Sequence, residues 1–455
     1  MLHNDADTIC AVATPTGRGG VSIIRLSGSL AHTICKTITG QVSPPGSWIS
    51  VSFRNSSGTL IDRGLLLAFV APHSFTGEDV CELHSHGSPV VADQLLDELV
   101  QLGARLARPG EFSERAFRND KIDLVQAEAI ADLINSSSVR AAQMAVRSLQ
   151  GEFSARIHSV VAELTNLRIF VEAALDFPDE EVEFIEQGRI MARMLDLIDS
   201  LQTLRAKAHQ GQILQEGLKV VIAGEPNAGK STLLNRLSGT NRAIVTDIPG
   251  TTRDLLEANI LIEGVPVHLI DTAGLRLTDD PVESEGIRRA WQAVEDADRI
   301  LFVTDFSVVP QLEKDIASWQ QISTNTDLKS KTTLVINKID KTTVSTFEDS
   351  AFGVPTLLIS ALTGDGLSAL EKHLLECAGV SISSEDGFIA RRRHLSALDQ
   401  GLANLCAGKV HADAGESELL AEQLRLAQEA LGQITGRVTS DELLGLIFSS
   451  FCIGK

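Results

Sequence analysis

The pattern of apolar and polar positions changes along the 455-residue chain and divides it into regions of different structure. Residues 1–120 combine short β-like apolar runs, at 21–26 and 65–70, with loops rich in Gly, Pro and Ser. This mixture indicates a compact α+β domain. From 121 to 215, and again from 378 to 455, apolar residues recur at the spacing of an α-helix. The sequence therefore predicts an N-terminal α+β domain and two helical stretches.

Between the helical stretches, residues 216–377 alternate strand patterns with helix patterns. The strand-like strings read LKVVIAG, NILIEGVPVHLIDTAG, RILFVTD, TTLVINKID and TLLIS, and a helix is predicted at 230–238. Val- and Ile-rich strands separated by helices are typical of a doubly wound, mostly parallel sheet. Because a domain whose ends lie close together tolerates insertion, we predict an α/β domain inserted into a discontinuous α-helical domain with halves 121–215 and 378–455.

Two apolar stripes predict helices in the C-terminal part of the chain. The first comprises Leu420, Leu424, Ala427, Leu431 and Ile434, and the second comprises Leu444, Ile447, Phe448 and Phe451. Thr439 and Glu442 have the spacing of a capping box, so we expect Thr439 to cap the start of the last helix.

The charge balance restricts the partners that the chain can bind. Sixty acidic residues against 40 Lys and Arg give a formal net charge of -20. Such a balance disfavours indiscriminate binding to nucleic acid or anionic lipid, so an RNA partner must meet a local basic patch. The only dense basic run is Arg391–Arg393, and it is equally consistent with an exposed helix start.

Cysteine usage and the N-terminus indicate the compartment. Six cysteines are scattered without a CxxC pair, which predicts reduced thiols rather than a zinc knuckle or a disulfide framework. The first residues lack a secretory signal, and no apolar run approaches the ~18 residues that a membrane span needs. We therefore expect a soluble, cytoplasmic protein with no membrane partner.

A glycine-rich loop follows the apolar strand at 219–223 and opens a helix. Its sequence, GEPNAGKS at 224–231, has the spacing of a phosphate-binding loop. The glycines let backbone N–H groups surround phosphates, Lys230 reaches the β- and γ-oxygens, and Ser231 is a Mg2+ ligand. The loop therefore predicts a nucleoside triphosphate site.

Later strand ends carry residues that select the nucleotide. Asp271 opens the string DTAG, in which an aspartate holds Mg2+ and a glycine amide senses the γ-phosphate. NKID at 337–340 ends another strand, and the Asp340 carboxylate accepts hydrogen bonds from N1–H and the exocyclic amine of guanine. Adenine does not offer these two donors together, which favours GTP over ATP. Ser360-Ala361 fits the loop that closes over the base.

The sequence offers several candidates for handling the attacking water. Ras-type GTPases place a glutamine after DxxG, but Leu275 occupies that position. The predicted switch segment carries the acidic residues Asp279, Asp280, Glu283 and Glu285. The nearest cations, Arg253 and Arg276, are as easily surface charges as an arginine finger. Alternatively, Asn227 and the loop 246–252 hold a monovalent cation beside the phosphates.

Six strings, taken in order, carry a resemblance to a known family. They read ATPTGRGGVSIIRLSG, SFTGEDVCELHSHG, RPGEFSERAFRNDKIDLVQAEAI, TDIPGTTRD, DTAGLR and the terminal FCIGK. Along nearly its whole length the chain resembles the tRNA-modification GTPases of the MnmE family, also called TrmE. The resemblance implies a folate-binding and dimerising N-terminal domain at 1–120, the discontinuous helical domain, and an inserted Ras-like P-loop G domain at 216–377.

The resemblance also implies a folate site. Its residues are Arg25, Glu82, Lys121 and the terminal Lys455. Cations and a carboxylate suit 5-formyltetrahydrofolate or a related folate, which has a glutamate tail and a pterin ring. Without the resemblance, the same residues read as ordinary surface charges.

In the G domain the resemblance implies roles for individual residues. The GTP-binding set is Asn227, Ala228, Gly229, Lys230, Ser231, Thr232, Thr246, Asp247, Ile248, Thr251, Thr252, Asp271, Thr272, Ala273, Gly274, Asn337, Lys338, Asp340, Ser360 and Ala361. The K+ ligands are Asn227, Thr246, Ile248 and Thr251. Ser231 and Thr252 complete the Mg2+ shell, and Glu283 is the catalytic residue that orients water. Pairing of two G domains then replaces an external activating protein.

The C-terminal string CIGK at 452–455 matches the family's terminal signature, in which the cysteine has been considered a catalytic participant. A cysteine that ends an amphipathic helix is otherwise more often simply buried. The sequence leaves both interpretations of Cys452 open.

The function that the resemblance implies is a K+-dependent, cytoplasmic GTPase that forms a homodimer. With a flavin-containing protein similar to MnmG or GidA, in a heterotetramer, it takes part in adding a carboxymethylaminomethyl-type group at C5 of wobble uridine in tRNA. A ribosome-assembly or signalling GTPase of the Era and Der kind would share the G-domain motifs but should carry a basic RNA-binding module. A regulatory scaffold would bind GTP and hydrolyse it negligibly.

Overall fold

The computed structural model describes residues 7–176, 183–240, 242–243, 256–271, 288, 290–306, 317–341, 352–379, 387–437 and 440–454. By its internal contacts the chain divides into two compact units. Unit 1 comprises residues 1–131, 148–198 and 397–455, and unit 2 comprises 132–147 and 199–396. Within the described ranges, no helix has the length and apolar character needed to cross a membrane. The domain boundaries predicted at 120, 215 and 377 stay a prediction.

Unit 1 contains a six-stranded sheet with the order β3-β4-β5-β2-β1-β6. Its strands are β1 (Ile9–Val12), β2 (Ser22–Ser27), β3 (Trp48–Arg54), β4 (Leu60–Phe69), β5 (Val80–Ser85) and β6 (Arg105–Leu106). Neighbouring strands pair antiparallel except β1 and β6, which pair parallel. The strands predicted at 21–26 and 65–70 correspond to β2 and β4.

Alternating side chains point to opposite faces of this sheet. On β2, Ile24 and Leu26 are buried, whereas Arg25 between them is only half-buried. Helices α1 (Ala31–Thr39) and α2 (Pro89–Gln101) supply residues to the same apolar cluster as the buried positions of β2. Arg25 therefore lies on the second face of the sheet, where buried residues of β1 form a smaller apolar cluster with Phe112.

The other helices of the described residues have the following bounds: α3 (Glu111–Arg118), α4 (Leu124–Ile134), α5 (Val139–Leu149), α6 (Glu152–Asp176), α7 (Glu183–Glu216), α8 (Lys230–Thr240), α9 (Ala317–Thr324), α10 (Thr326–Ser330), α11 (Leu367–Cys377), α12 (Arg392–Asp413), α13 (Ser417–Thr435) and α14 (Asp441–Ser449). The apolar stripe at 420–434 is buried on α13. The predicted cap of the last helix is wrong by one residue. Ser440 caps α14, because its hydroxyl accepts a hydrogen bond from the amide of Leu443.

Unit 2 contains a seven-stranded sheet with the order β13-β12-β11-β7-β10-β9-β8. Its strands are β7 (Leu218–Ala223), β8 (Arg242–Ala243), β9 (Leu256–Ile262), β10 (Val265–Asp271), β11 (Arg299–Asp305), β12 (Thr332–Asn337) and β13 (Thr356–Leu358). The five strands from β13 to β10 pair parallel, and β9 and β8 continue the sheet antiparallel. The string NILIEGVPVHLIDTAG therefore supplies the hairpin of β9 and β10.

Apolar clusters lie on both faces of this sheet. Val220 and Ile222 of β7 belong to one cluster, together with Leu233 of α8. Val221 of β7 belongs to another, together with Trp319 of α9. Helices thus pack on both faces, which confirms the predicted doubly wound, mostly parallel fold. In such a fold the carboxyl ends of parallel strands share one edge, where ligands bind.

Candidate nucleotide site and N-terminal polar cluster

The glycine-rich loop joins the buried end of β7 to the start of α8, as predicted. Gly224 has φ +132°, and a Cβ there would lie 2.0 Å from the carbonyl oxygen of Val303 on the neighbouring strand. Gly229 has φ +101°, and Asn227 is also left-handed at φ 63°. Only glycine allows the backbone at position 224 to approach β11 this closely. The loop therefore starts in contact with the ends of β7 and β11.

Lys230 is the first residue of α8 and is almost completely buried. Its Nζ donates hydrogen bonds to the carbonyls of Gly224, at 2.9 Å, and Glu225, at 3.0 Å. Burial lowers the pKa of Lys230, and the charges of Asp271 and Glu225 oppose that shift. An ammonium held inside the loop at a helix N-terminus can compensate the negative charge of a phosphate chain.

Asp271 ends β10 directly beside the start of α8 and is buried. Ser231 donates from its hydroxyl to Oδ2 of Asp271 at 2.8 Å. Oδ1 of Asp271 is buried and has no hydrogen-bond partner among the described residues. A buried carboxylate oxygen without a partner, next to a serine hydroxyl, suits a hard cation that prefers oxygen ligands. These residues therefore fit Mg2+.

Asn337 connects the phosphate loop with the loop after β13. This buried side chain donates from Nδ2 to the Ala228 carbonyl at 2.8 Å, and its Oδ1 accepts from the Ala361 amide at 2.9 Å. A Cβ on Gly229 would lie 2.2 Å from Asn337 Nδ2. The first residue of NKID is therefore structural: it holds two loops of the predicted site together.

Asp340 lies in a short 3-10 turn, Ile339–Lys341, just beyond β12. Its side chain is exposed, and Oδ1 accepts a hydrogen bond from the buried Ser360 hydroxyl at 2.6 Å. Ser360 thus fixes the orientation of a carboxylate that faces solvent. A carboxylate oriented in this way can accept the two donors of a guanine edge.

The structure also reveals a residue that the sequence analysis missed. Asp305 ends β11, and its Oδ2 lies 2.8 Å from Nζ of Lys338. Its position at the end of a buried parallel strand could have identified it as a site residue, because Asp271 and Asn337 also end such strands.

Several predicted residues lie outside the part of the chain that the structure describes. They are Thr246, Asp247, Ile248, Thr251, Thr252, Thr272, Ala273, Gly274, Leu275, Glu283 and Lys455. The neighbouring Arg253, Arg276, Asp279, Asp280 and Glu285 also lie outside it. Thr232 is exposed on α8. In the described ranges, no cluster of three or more His, Cys, Asp or Glu residues is arranged to hold a metal ion.

A polar cluster lies on the second face of the unit 1 sheet, at β2 and β5. Arg25 on β2 is directly opposite Glu82 on β5, and its guanidinium binds that carboxylate at 2.8 Å. The same guanidinium lies 5.6 Å from the ring centre of Phe75 and 5.8 Å from that of Phe112. His84 Nε2 lies 3.3 Å from the other Glu82 oxygen. The cluster therefore combines paired charges with aromatic rings, and the sequence analysis missed these two rings.

The predicted Lys121 and the C-terminal string belong to the same unit. Lys121 is exposed, and its Nζ donates to the carbonyl of Pro72 at 2.9 Å. The amide of Gly110 donates to the carbonyl of Cys452 at 3.3 Å. A Cβ on Gly454 would lie 2.2 Å from the carbonyl of Val12 on β1. The chain end therefore packs against β1 and the start of α3.

Cys452 is exposed, and it is the neighbouring Phe451 that is buried. Phe451 packs with Phe448 and with Leu124 of α4 in one apolar cluster. Residue statistics favour a buried cysteine at the end of such a helix, but Cys452 is not buried.

Unit 2 has the architecture of a P-loop GTP-binding protein: a doubly wound sheet with a phosphate loop, a strand-end aspartate and NKID along one edge. Two family models match the chain, the GTP-binding protein TrmE N-terminus over residues 8–121 and the MnmE helical domain over residues 124–452. The chain belongs to the MnmE (TrmE) family. It is a GTP hydrolase that takes part in tRNA modification.

Solved structures similar to parts of the chain include domains of iron-transport proteins. The G domain of the T. maritima FeoB iron transporter is 29% identical over 35% of this chain and 98% of that chain, with a TM-score of 0.27. The cytosolic domain of L. pneumophila FeoB is 22% identical over 51% of this chain and 94% of that chain, with a TM-score of 0.28. The G domain assignment rests on the sheet order and strand-end residues of this chain itself.

Proposed function

We propose that the chain is a K+-dependent GTPase that acts as a homodimer with a flavin-containing, MnmG/GidA-like protein. Together they add a carboxymethylaminomethyl-type group at C5 of wobble uridine in tRNA, using 5-formyltetrahydrofolate or a related folate. The observation that carries this proposal is the packing of the C-terminal segment, with its exposed Cys452, in the unit that also holds the Arg25–Glu82 cluster. Cytoplasmic location and the heterotetramer are part of the same proposal.

In the nucleotide site, each described residue has a distinct task. Lys230 and the loop amides bind the phosphates, and Asp340 accepts the guanine N1–H and exocyclic amine. Ser231 and Asp271 hold Mg2+, to which Thr252 adds a ligand. When bound, Mg2+ neutralises charge that develops on the β- and γ-oxygens. Support comes from the buried, unpartnered Asp271 oxygen and from the Asp340 carboxylate oriented by Ser360.

For hydrolysis we propose Glu283 as the residue that orients water and Asn227 as a K+ ligand, with Thr246, Ile248 and Thr251. Leu275 at the usual glutamine position supports a different water-orienting residue. Asn227 supports the cation site, because its side chain is exposed and its backbone is left-handed at φ 63°. A cation beside the phosphates supplies the positive charge that an arginine finger supplies elsewhere.

For the folate site we propose Arg25, Glu82, Lys121 and Lys455. The cation and carboxylate of the Arg25–Glu82 pair recognise polar edges and the glutamate tail of the ligand. The Phe75 ring beside Arg25 is only partly buried and offers a flat apolar surface suited to a pterin, whereas the Phe112 ring is fully buried.

The homodimer is supported by exposed apolar residues of β3 and β4 on the second face of the unit 1 sheet. Trp48 of β3 is 65% exposed and Leu65 of β4 is 37% exposed, while Val51 and Leu66 point to the core. Large apolar side chains on an uncovered sheet face are typical of an interaction surface. A second copy of the same domain would bury them.

The proposed reaction is tested by mass spectrometry of tRNA nucleosides from cells that lack the chain. We expect loss of the C5-modified wobble uridine, and recovery with the wild-type chain but not with Lys230→Ala. Lys372→Ala is a suitable control, because it removes the same charge from a side chain that is 75% exposed on α11. An unchanged wobble-uridine profile in the cells without the chain would refute the proposal.

GTP hydrolysis is expected to be at least about tenfold faster in KCl than in NaCl at equal ionic strength, because a bound cation replaces one missing transition-state donor. Phosphate release measured in the two salts checks this. Glu283→Ala should bind GTP with nearly unchanged affinity and hydrolyse it slowly in both salts. Equal wild-type rates in KCl and NaCl would contradict the K+ site, and normal turnover by Glu283→Ala would remove its proposed role.

A further inference from the structure

Two residues of the nucleotide site have a backbone conformation that side chains rarely adopt. Asn227 in the phosphate loop has φ 63°, and Lys338 in NKID has φ 67°. Left-handed backbone at non-glycine residues is strained and persists only where neighbouring groups hold it. The contacts that hold these two positions therefore matter for the shape of the site.

One ammonium group connects both positions. Lys338 Nζ donates to the carbonyl of Asn227 at 2.6 Å and to Oδ2 of Asp305 at 2.8 Å. Asp305 is placed there by the sheet, because β11 lies between β7, which leads into the phosphate loop, and β12, which leads into NKID. The aspartate at the end of the middle strand thus meets Lys338, and the same lysine reaches the phosphate loop.

The Asp305 carboxylate can orient the Lys338 side chain. A lysine side chain is long and flexible, and its compact charge has no fixed geometry of its own. The side chains of Lys338 and Asp305 are 25% and 28% exposed, so their attraction is only partly screened by water. The Asp305 carboxylate therefore favours the Lys338 rotamer in which Nζ donates to the Asn227 carbonyl.

We propose that Asp305 is a positioning residue for the monovalent cation. It anchors Lys338, which holds the Asn227 backbone in the conformation that presents the Asn227 side chain to K+. The inference rests on the proposed K+ site at Asn227. It adds that the affinity of this site depends on Asp305, a residue that supplies no ligand to the cation.

The backbone around Asn227 supports this assignment. The next carbonyl, that of Ala228, accepts a hydrogen bond from Asn337 at 2.8 Å. Successive carbonyls of the phosphate loop are thus fixed by successive residues of NKID. The Asn337 contact is buried and rigid, whereas the Lys338 contact depends on a flexible side chain. Removing the Asp305 carboxylate, which anchors Lys338, should therefore loosen the backbone of Asn227 before it disturbs that of Ala228.

The test compares Asp305→Asn with wild type in the full-length chain, by titrating KCl in a GTP hydrolysis assay at constant ionic strength. We expect the K+ concentration for half-maximal activation to rise about threefold, the effect of losing a partly exposed ion pair. High K+ should recover most of the lost rate. Asp305→Glu, which keeps the charge, should shift the titration less than Asp305→Asn.

Asp296→Asn is the matched control, because it removes the same charge from an exposed position just before β11. GDP affinity in NaCl and the melting temperature are measured for every variant. A titration of Asp305→Asn that coincides with that of Asp296→Asn would overturn the inference. So would a parallel loss of GDP affinity and melting temperature that high K+ does not recover, since that pattern indicates a structural role only.

The two proposals fail in different ways. If wild type hydrolyses GTP equally in KCl and NaCl, the K+ site itself is wrong and the inference falls with it. If wild type requires K+ and Asp305→Asn has an unchanged K+ titration, only the role of Asp305 is wrong.

Discussion

Replacement of Asp340 by Asn is expected to lower the affinity for GTP about 100-fold or more and to let xanthosine triphosphate bind in its place. The Asp340 carboxylate is exposed and is oriented by the Ser360 hydroxyl at 2.6 Å. Two charge-assisted hydrogen bonds to guanine would be lost, each contributing about 1.5–3 kcal/mol. An amide can instead donate to the C2 carbonyl of xanthine, which occupies the position of the guanine amine.

Competition binding with GTP, ATP and xanthosine triphosphate measures this change of preference. Asp327→Asn is the matched control, because Asp327 is an exposed aspartate in the first turn of α10 and its replacement changes the net charge equally. The control should keep the wild-type preference for GTP. If Asp340→Asn also prefers GTP with wild-type affinity, the assignment of base recognition to Asp340 is wrong.

Replacement of Glu111 by Gln is expected to destabilise the fold around α3 by about 2 kcal/mol, because it removes the charge of a buried carboxylate and leaves Arg105 and Arg115 only their ion pairs with Asp7 and Glu78. The Glu111 side chain is only 3% exposed. It accepts hydrogen bonds from Arg105 at 2.7 Å, from the Arg108 amide at 2.7 Å and from Arg115 at 3.3 Å. Hydrogen exchange of the α3 amides in the full-length chain measures the loss of local stability.

Glu114→Gln is the control for this substitution. Glu114 lies on the same helix and pairs with Arg108 and Arg118, whose side chains are 48% and 42% exposed. Exposed ion pairs contribute at most about 1 kcal/mol, so the control should be nearly neutral. Equal protection of α3 in wild type and Glu111→Gln would contradict the expected effect.

The same glutamate predicts a pH dependence of stability. Burial alone would raise the pKa of Glu111, but hydrogen bonds from Arg105 and the Arg108 amide, together with the charges of both arginines, lower it to about 2. A lowered pKa in the folded state stabilises the fold above the unfolded value of 4.5. That stabilisation is lost as the pH falls from 4.5 towards about 2. Protection of α3 should fall in this window for wild type and show a smaller slope for Glu111→Gln.

Sequence patterns predicted the parts of the fold whose signals are local. The buried strands that end at Asp271 and Asn337, and the helix that opens at Lys230, were predicted close to their observed bounds. Apolar runs bounded by glycine and polar residues contain this information within a few neighbours. The cap of α14 was misplaced by one residue, because Thr439 and Ser440 are both suitable caps and only the backbone path selects Ser440.

Other features depend on contacts between distant parts of the chain. The pair Arg25–Glu82 requires the register of β2 against β5, which no spacing in the sequence specifies. The aromatic rings beside Arg25 come from two further segments. Exposure of Cys452 depends on Phe451 taking the buried position at the end of α14.

The sequence by itself determined the class of nucleotide site and the membership of the chain in its family, because the relevant residues form short strings at the ends of strands. Only the tertiary structure decided how those strings support one another. Asp305 meets Lys338, and Ser360 meets Asp340, because parallel strands bring their carboxyl ends to one edge of the sheet. Such partners lie tens of residues apart, and strand order and register, which arise from packing of the whole core, decide which of them touch.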